Sequence, residues 1–162
     1  MLTDYTTPDD IRSVLGVTAD ELEDETLALE TWDNLLMFEL EDVHAGLPAG
    51  YAAVVATEAA TRTAVQSKLY RATRMYATLA VANGLTASLP MFGPKDISDG
   101  KATVSRFADS PYKPVVAEIR KQYEAARTRL KQAWAEMSAS TATVTARPYF
   151  GVAKPTTDPV TG

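Results

Sequence analysis

His44 is the only histidine in this 162-residue sequence, and cysteine is absent. Those two counts bear directly on chemistry. A serine or cysteine nucleophile of the triad type needs an imidazole to take its proton, a zinc site of the common kind needs two or more histidines or thiolates, and a histidine phosphoryl relay needs a free ring. His44 follows "LEDV", where a helix should end, and reads as a residue facing the negative end of the helix dipole. The carboxylates of "ADELEDE" are the remaining candidates for a magnesium or calcium site. They lack the alternating ligand spacing and central glycine of a calcium loop, so an acidic, solvated helix start is the better reading. Neither "NGLTASLPMFG" nor "FGPKDISDGK" carries the glycine spacing of a phosphate-binding loop. Trp32, Tyr70, Tyr76, Tyr123 and Trp134 fall at helical spacing and read as core or interface. The expectation is a protein that is not an enzyme, with no catalytic residue, cofactor or metal.

The chain's charge says more about assembly than about catalysis. The net charge of -5 conceals a separation along the chain: Thr18 to His44 holds ten carboxylates, among them Glu39, Glu41 and Asp42, with no lysine or arginine. Positive charge gathers later, at Arg62, Lys68, Arg71 and Arg74, and again at Arg120, Lys121, Arg127, Arg129 and Lys131. Such separation can be satisfied inside one subunit, or between neighbours where one copy's acidic face meets the next one's basic face. A hydrophobic share of 46% and a charged share of 23% suit one globular domain with a real core. No run approaches the roughly 20 apolar residues of a membrane span, and Met1 to Thr18 has no signal pattern, so folding in a cytoplasm and no membrane partner are expected.

The elements that must carry these residues are mostly helical. "YTTPDDIRSVLGV" opens with Thr7 as a cap, Pro8 at the first helical position, Asp9 and Asp10 at the positive end of the dipole, and Gly16 as the stop. Thr18 and Glu21 have capping-box spacing before an expected helix from about Glu25 to Val43. That helix shows two apolar rows, one of Leu29, Trp32, Leu36, Leu40 and Val43, the other of Leu27, Leu35 and Phe38, which predicts packing on more than one side. "HAGLPAG" reads as a loop. Tyr51 to Asn83 then reads as one long helix closed by Gly84, with Val65, Leu69, Ala72, Tyr76, Leu79 and Asn83 on its core face. Ser110 and Pro111 should cap a last helix from about Tyr112 to Met137, along the row Val116, Ile119, Tyr123, Ala126, Leu130, Ala133 and Met137.

Two stretches depart from this pattern. "PKDISDGKATVSRF" places an Asp-Gly turn between short extended runs, a β-hairpin or extended insertion over about 94–108. A two-stranded hairpin is marginal alone and must lean on something: its own bundle through Ile97, Val104 and Phe107, or a neighbouring subunit or tail protein, with Lys101 and Arg106 as polar contacts. Residues 138–162 are rich in Ser, Thr, Pro and Gly around the knot "RPYFGV", which reads as an arm that orders on a partner. The fold class expected is mainly α: a helical bundle with two long helices over 1–137, the hairpin insertion, and an extended C-terminal arm.

In "YTTPDDIRSVLGVTADELEDETL" and "DISDGKATVSRFADSPYKPVVAEIRKQYEAARTRL", across most of residues 3–137, the chain resembles the head-to-tail connector, or adaptor, proteins of tailed bacteriophages. The likeness lies in the proline-initiated first helix, the second acidic cap, and the small polar turn before a closing helix. It implies a structural homo-oligomer, a dodecameric ring in the neck of the virion that forms in the host cytoplasm and sits beneath the portal protein. Such a ring extends the DNA channel, helps retain packaged DNA, and gives tail, nozzle or stopper proteins a docking surface; double-stranded DNA passes through it without sequence-specific binding. On that likeness the arm residues Val144, Arg147, Pro148, Tyr149, Phe150 and Val152 would reach the portal. Ile97, Lys101, Val104, Arg106 and Phe107 would serve inter-subunit or tail docking, and Glu39, Glu41 and Asp42 an acidic channel wall or interface. The longer tail departs from the shortest members of the family. The competing reading is a small terminase-like, DNA-binding helical oligomer in genome packaging, using Arg62 to Arg74 and Arg120 to Lys131 as a phosphate track.

Overall fold

Threonine, proline and glycine set the first boundaries. The structure, a computed structural model, describes residues 2–88, the strands Asp96–Ser98 and Thr103–Ser105, and residues 113–141. A single turn, α1 (Leu2–Tyr5), precedes α2 (Pro8–Leu15). The Thr7 hydroxyl accepts a hydrogen bond from the Asp10 N–H, Pro8 takes the first turn, and Gly16 ends the helix at φ 69°, a conformation that suits a residue without Cβ. These are the caps expected from the sequence.

The acidic segment is divided where one helix was expected. Glu21 accepts from the N–H and hydroxyl of Thr18, yet only a turn follows, and helix resumes as α3 (Asp24–Leu27) and α4 (Glu30–Val43). Leu29 is extended between them. The break turns Leu27 into the core, and the indole N–H of Trp32 donates to the Thr26 carbonyl, covering part of what the interruption frees. Along α4, Leu36 and Leu40 are buried and Leu35 is half-buried beside Gly84 of α6, whereas Phe38 is exposed, as is Leu29 just before the helix. Each expected apolar row therefore has one residue turned outward, Leu29 in the first and Phe38 in the second, while Leu27 and Leu35 of the second row pack within the subunit.

A larger correction concerns the next segment. "HAGLPAG" is largely helical, because α5 (Leu47–Ala56) starts within it, with Pro48 in the first turn. The expected helix Tyr51–Asn83 is two helices, α5 and α6 (Ala64–Leu85). Arg62 accounts for the end of the first. Its Nε donates to the carbonyls of Val54 and Thr57, both at 3.0 Å, and its Nη2 to Val55, so carbonyls at and beside the α5 terminus are satisfied by a side chain. Thr63 and Gln66 then form a reciprocal capping box that starts α6. Gly84 lies inside α6, close under Trp32.

After a short 3₁₀ turn (Thr86–Ser88), strands β1 (Asp96–Ser98) and β2 (Thr103–Ser105) pair antiparallel, with Ile97 opposite Val104. The last helix, α7 (Lys113–Thr141), passes Met137 by a full turn, so residues 138–141, assigned to the arm from composition, belong to the helix.

Helix α6 is the spine. Its buried face, with Leu69, Tyr76, Leu79 and Ala80, meets the α7 row of Ile119, Tyr123, Ala126, Leu130 and Ala133. Buried alanines on both helices permit close approach. Helices α1, α2, α4 and α5 close around α6 through Tyr5, Ile11, Leu40 and Tyr51 among others. The mainly helical bundle read from the sequence is the architecture observed. One aromatic ladder ties three helices: Tyr5 stacks on Tyr51 at 4.8 Å between centroids and Tyr51 on Tyr70 at 5.8 Å, with the Arg62 guanidinium over the Tyr70 ring at 4.5 Å.

Candidate functional site

Where α4, α6 and α7 meet, a carboxylate holds two phenols. Glu39 Oε2 accepts from the Tyr76 hydroxyl at 2.5 Å and from the Tyr123 hydroxyl at 2.6 Å, while the two tyrosine rings stack at 5.5 Å. Three residues further along α4, Asp42 pairs with Arg127, which is four residues beyond Tyr123 on α7. The i, i+3 spacing on one helix thus meets the i, i+4 spacing on the other, giving two ties across one interface. Burial pushes the Tyr76 and Tyr123 phenols above the usual tyrosine range, and the neighbouring Glu39 carboxylate adds to it. Both therefore stay protonated and donate. This cluster is built to fix three helices against one another.

The three acidic residues singled out in the sequence are thereby separated. Glu39 is turned inward, Asp42 reaches across to Arg127, and Glu41 is exposed. Much of the positive charge is also engaged within the subunit. Arg12 is buried, donating to the Leu22 carbonyl and pairing with Asp9 and Asp24. Arg62 caps α5, Lys68 pairs with Glu136 at 2.6 Å, and Arg74 reaches Asp10 at 3.5 Å and the Tyr70 hydroxyl at 3.1 Å. Of the two ways to satisfy the charge separation, the intramolecular one accounts for these cations. The exposed carboxylates Asp20, Glu23, Glu25, Glu30 and Glu41 remain as an outward acidic surface.

His44 takes the structural place expected of it. It ends α4, its Nδ1 accepts from the Gly46 N–H at 3.0 Å, and its ring lies 4.9 Å from that of Trp134. Trp134 presses on α5 at Gly50, where a Cβ would stand 2.4 Å from the indole. Among the described residues no three histidine, cysteine or carboxylate side chains gather as metal ligands.

A groove runs between α6 and α7, floored by Ala72, Met75 and Ala126 and bordered by Lys68, Arg71 and Arg129. Sequence reasoning did not identify it, because only the register of α6 on α7 brings those six residues together. Of the expected docking hairpin, Ile97 and Val104 are partners in the β ladder; Lys101, Arg106 and Phe107 lie outside the described residues, as do Val144, Arg147, Pro148, Tyr149, Phe150 and Val152 of the arm. Neither the Glu39 clamp nor the Arg62 cap was legible beforehand, whereas Thr63 and Gln66 carry a readable capping-box signal. Comparison with protein-family models, with curated proteins and with solved structures returns no match.

Proposed function

We propose that the chain is a structural subunit of the head-to-tail connector of a tailed bacteriophage. In this reading it forms a ring beneath the portal protein in the virion neck, extends the DNA channel, and offers tail or stopper proteins a docking surface. The observation that carries the reading is the disposition of charge. Arg62, Lys68 and Arg74 are engaged inside the subunit, while Asp20, Glu23, Glu25, Glu30 and Glu41 face outward. An acidic surface repels the phosphate backbone and lets DNA slide, where a basic track would grip it.

The same disposition weighs against the terminase-like alternative. Its phosphate track needs Arg62 and Arg74, which are held by α5 carbonyls, Asp10 and Tyr70. On α7, Arg127 in the middle of the other half of that track is held by Asp42. In the proposed assembly the chain beyond Thr141, with Tyr149 and Phe150, is the arm that enters the portal, and the hairpin serves docking.

The test is to mix the purified chain with assembled portal rings and examine the product by native mass measurement and imaging. A ring of this chain attached to the portal is expected. Failure to bind the portal, together with duplex DNA binding that weakens steeply with salt, would replace the connector reading with the packaging one.

A further inference from the structure

Two faces of this subunit are complementary to each other and lie too far round the bundle to meet within one copy. The first is a ridge on α4. Glu30, Asn34, Phe38 and Glu41 are all exposed, and their spacing of i, i+4, i+8 and i+11 aligns them in one stripe. Phe38 is 73% exposed, the highest value among the large apolar side chains of the described residues. The second face is the α6–α7 groove. Met75 on its floor is 51% exposed, and Arg71 and Arg129 on its borders have no carboxylate partner among the described residues. An exposed phenyl flanked by carboxylates therefore matches an apolar trough flanked by guanidinium groups.

The two faces point in different directions. Helix α7 meets α4 through Tyr123 and Arg127, but borders the groove with Ala126 and Arg129. At about 100° per residue, Arg129 is about 160° round α7 from Arg127. The groove thus opens away from the side on which α4 packs, and the Phe38 ridge cannot reach it in the same subunit.

We propose that the chain associates with a second copy of itself head to tail, the Phe38 ridge of α4 in one copy seating in the basic α6–α7 groove of the next. A contact of this heterologous kind leaves one free ridge and one free groove at each end, so it propagates into a closed ring or an open filament. Phe38 is the apolar anchor; Glu30 and Glu41 against Arg71 and Arg129 set the orientation and the salt dependence. The contact would supply a ring interface for the connector reading, yet it is measured on this chain alone, so its failure and a failure to bind portal are separate results.

The experiment is sedimentation velocity on the full chain up to about 100 μM, two decades above a micromolar Kd. Association that grows with concentration and weakens with added salt is expected. Two variants then isolate the faces: Phe38→Ser with Glu41→Lys removes the ridge, and Arg71→Glu with Arg129→Glu removes the groove. All four side chains are exposed, and thermal melts check that both variants fold. Each alone should lose at least about thirtyfold in self-association, as for a binding hot spot. Mixed in equal amounts they should form a one-to-one pair and nothing larger, since one intact ridge and one intact groove remain. The proposal is overturned if the parent chain stays monomeric, if either variant assembles like the parent, or if the mixture does not pair. A monomeric parent whose melting temperature drops with Phe38→Ser alone would show that a segment of the same chain covers the ridge.

Discussion

Removing the Glu39 carboxylate should loosen three helices at once. In Glu39→Ala the hydroxyls of Tyr76 and Tyr123 lose the acceptor that binds them at 2.5 and 2.6 Å. A hydrogen bond to a charged group contributes about 1.5–3 kcal/mol. Glu39 is only half-buried, so water can reach part of the site, and the phenols, 3.4 Å apart, can turn toward each other. The low end applies to each bond, which gives about 3 kcal/mol for the pair. For a chain of this size that corresponds to a fall in Tm of about 6–12 °C. Tyr76→Phe and Tyr123→Phe each remove one donor and leave the other, so each should cost about 1–2 kcal/mol. The decisive measurement is a double-mutant cycle by thermal and urea melts followed by circular dichroism. In the Glu39→Ala background either Tyr→Phe change should cost almost nothing, a coupling of about 1 kcal/mol or more. A Glu39→Ala shift below about 2 °C, or Tyr→Phe costs that are equal in both backgrounds, would refute the clamp.

Gly50→Ala should destabilise by about 1–3 kcal/mol and alter tryptophan fluorescence, because the new Cβ would stand 2.4 Å from the Trp134 ring. Alanine is the better helix former, so a more stable variant would show that Trp134 does not lie on α5. Thr63→Ala should cost about 1 kcal/mol by removing one half of the α6 capping box, measured as a shift in the urea midpoint; no shift would mean the box contributes nothing. At alkaline pH the fold should fail in a defined window. Burial pushes the Tyr51 phenol up to about 12 against about 10 in the unfolded chain, so its contribution is complete below about pH 10 and lost as pH rises toward 12. Burial raises Tyr5, Tyr76 and Tyr123 in the same direction. Phenolate absorbance from these four of the seven tyrosines should appear together with loss of helix; smooth ionisation with the helix signal intact would count against their burial.

Local chemistry was readable wherever a residue acts on its own neighbours. Thr7, Pro8 and Gly16 bound α2 as their types require, since a cap hydroxyl, a missing N–H and a residue free to take positive φ all act within a few positions. The row from Ile119 to Ala133 marked the buried face of α7 for a similar reason: helical period is a property of sequence order. The division of Tyr51–Asn83 was not readable in the same way. The segment Thr57 to Thr63, "TEAATRT", has no proline or glycine to end a helix; the capping-box spacing of Thr63 and Gln66 is its one local signal, and the break is held by Arg62 folding back on α5 and by Tyr51 stacking between Tyr5 and Tyr70.

Charge shows the same division. The order of residues alone determined that the chain is acidic early and basic late, that it carries one histidine and no cysteine, and that its long segments are amphipathic helices. Only the tertiary structure decided which charges remain outward. Glu39 and Glu41 are two residues apart in one acidic run, yet one is held between two phenols and the other meets solvent. The reason is geometric: two residues along a helix are about 200° apart, so packing one face of α4 against α6 and α7 assigns neighbouring, like-charged residues to opposite environments.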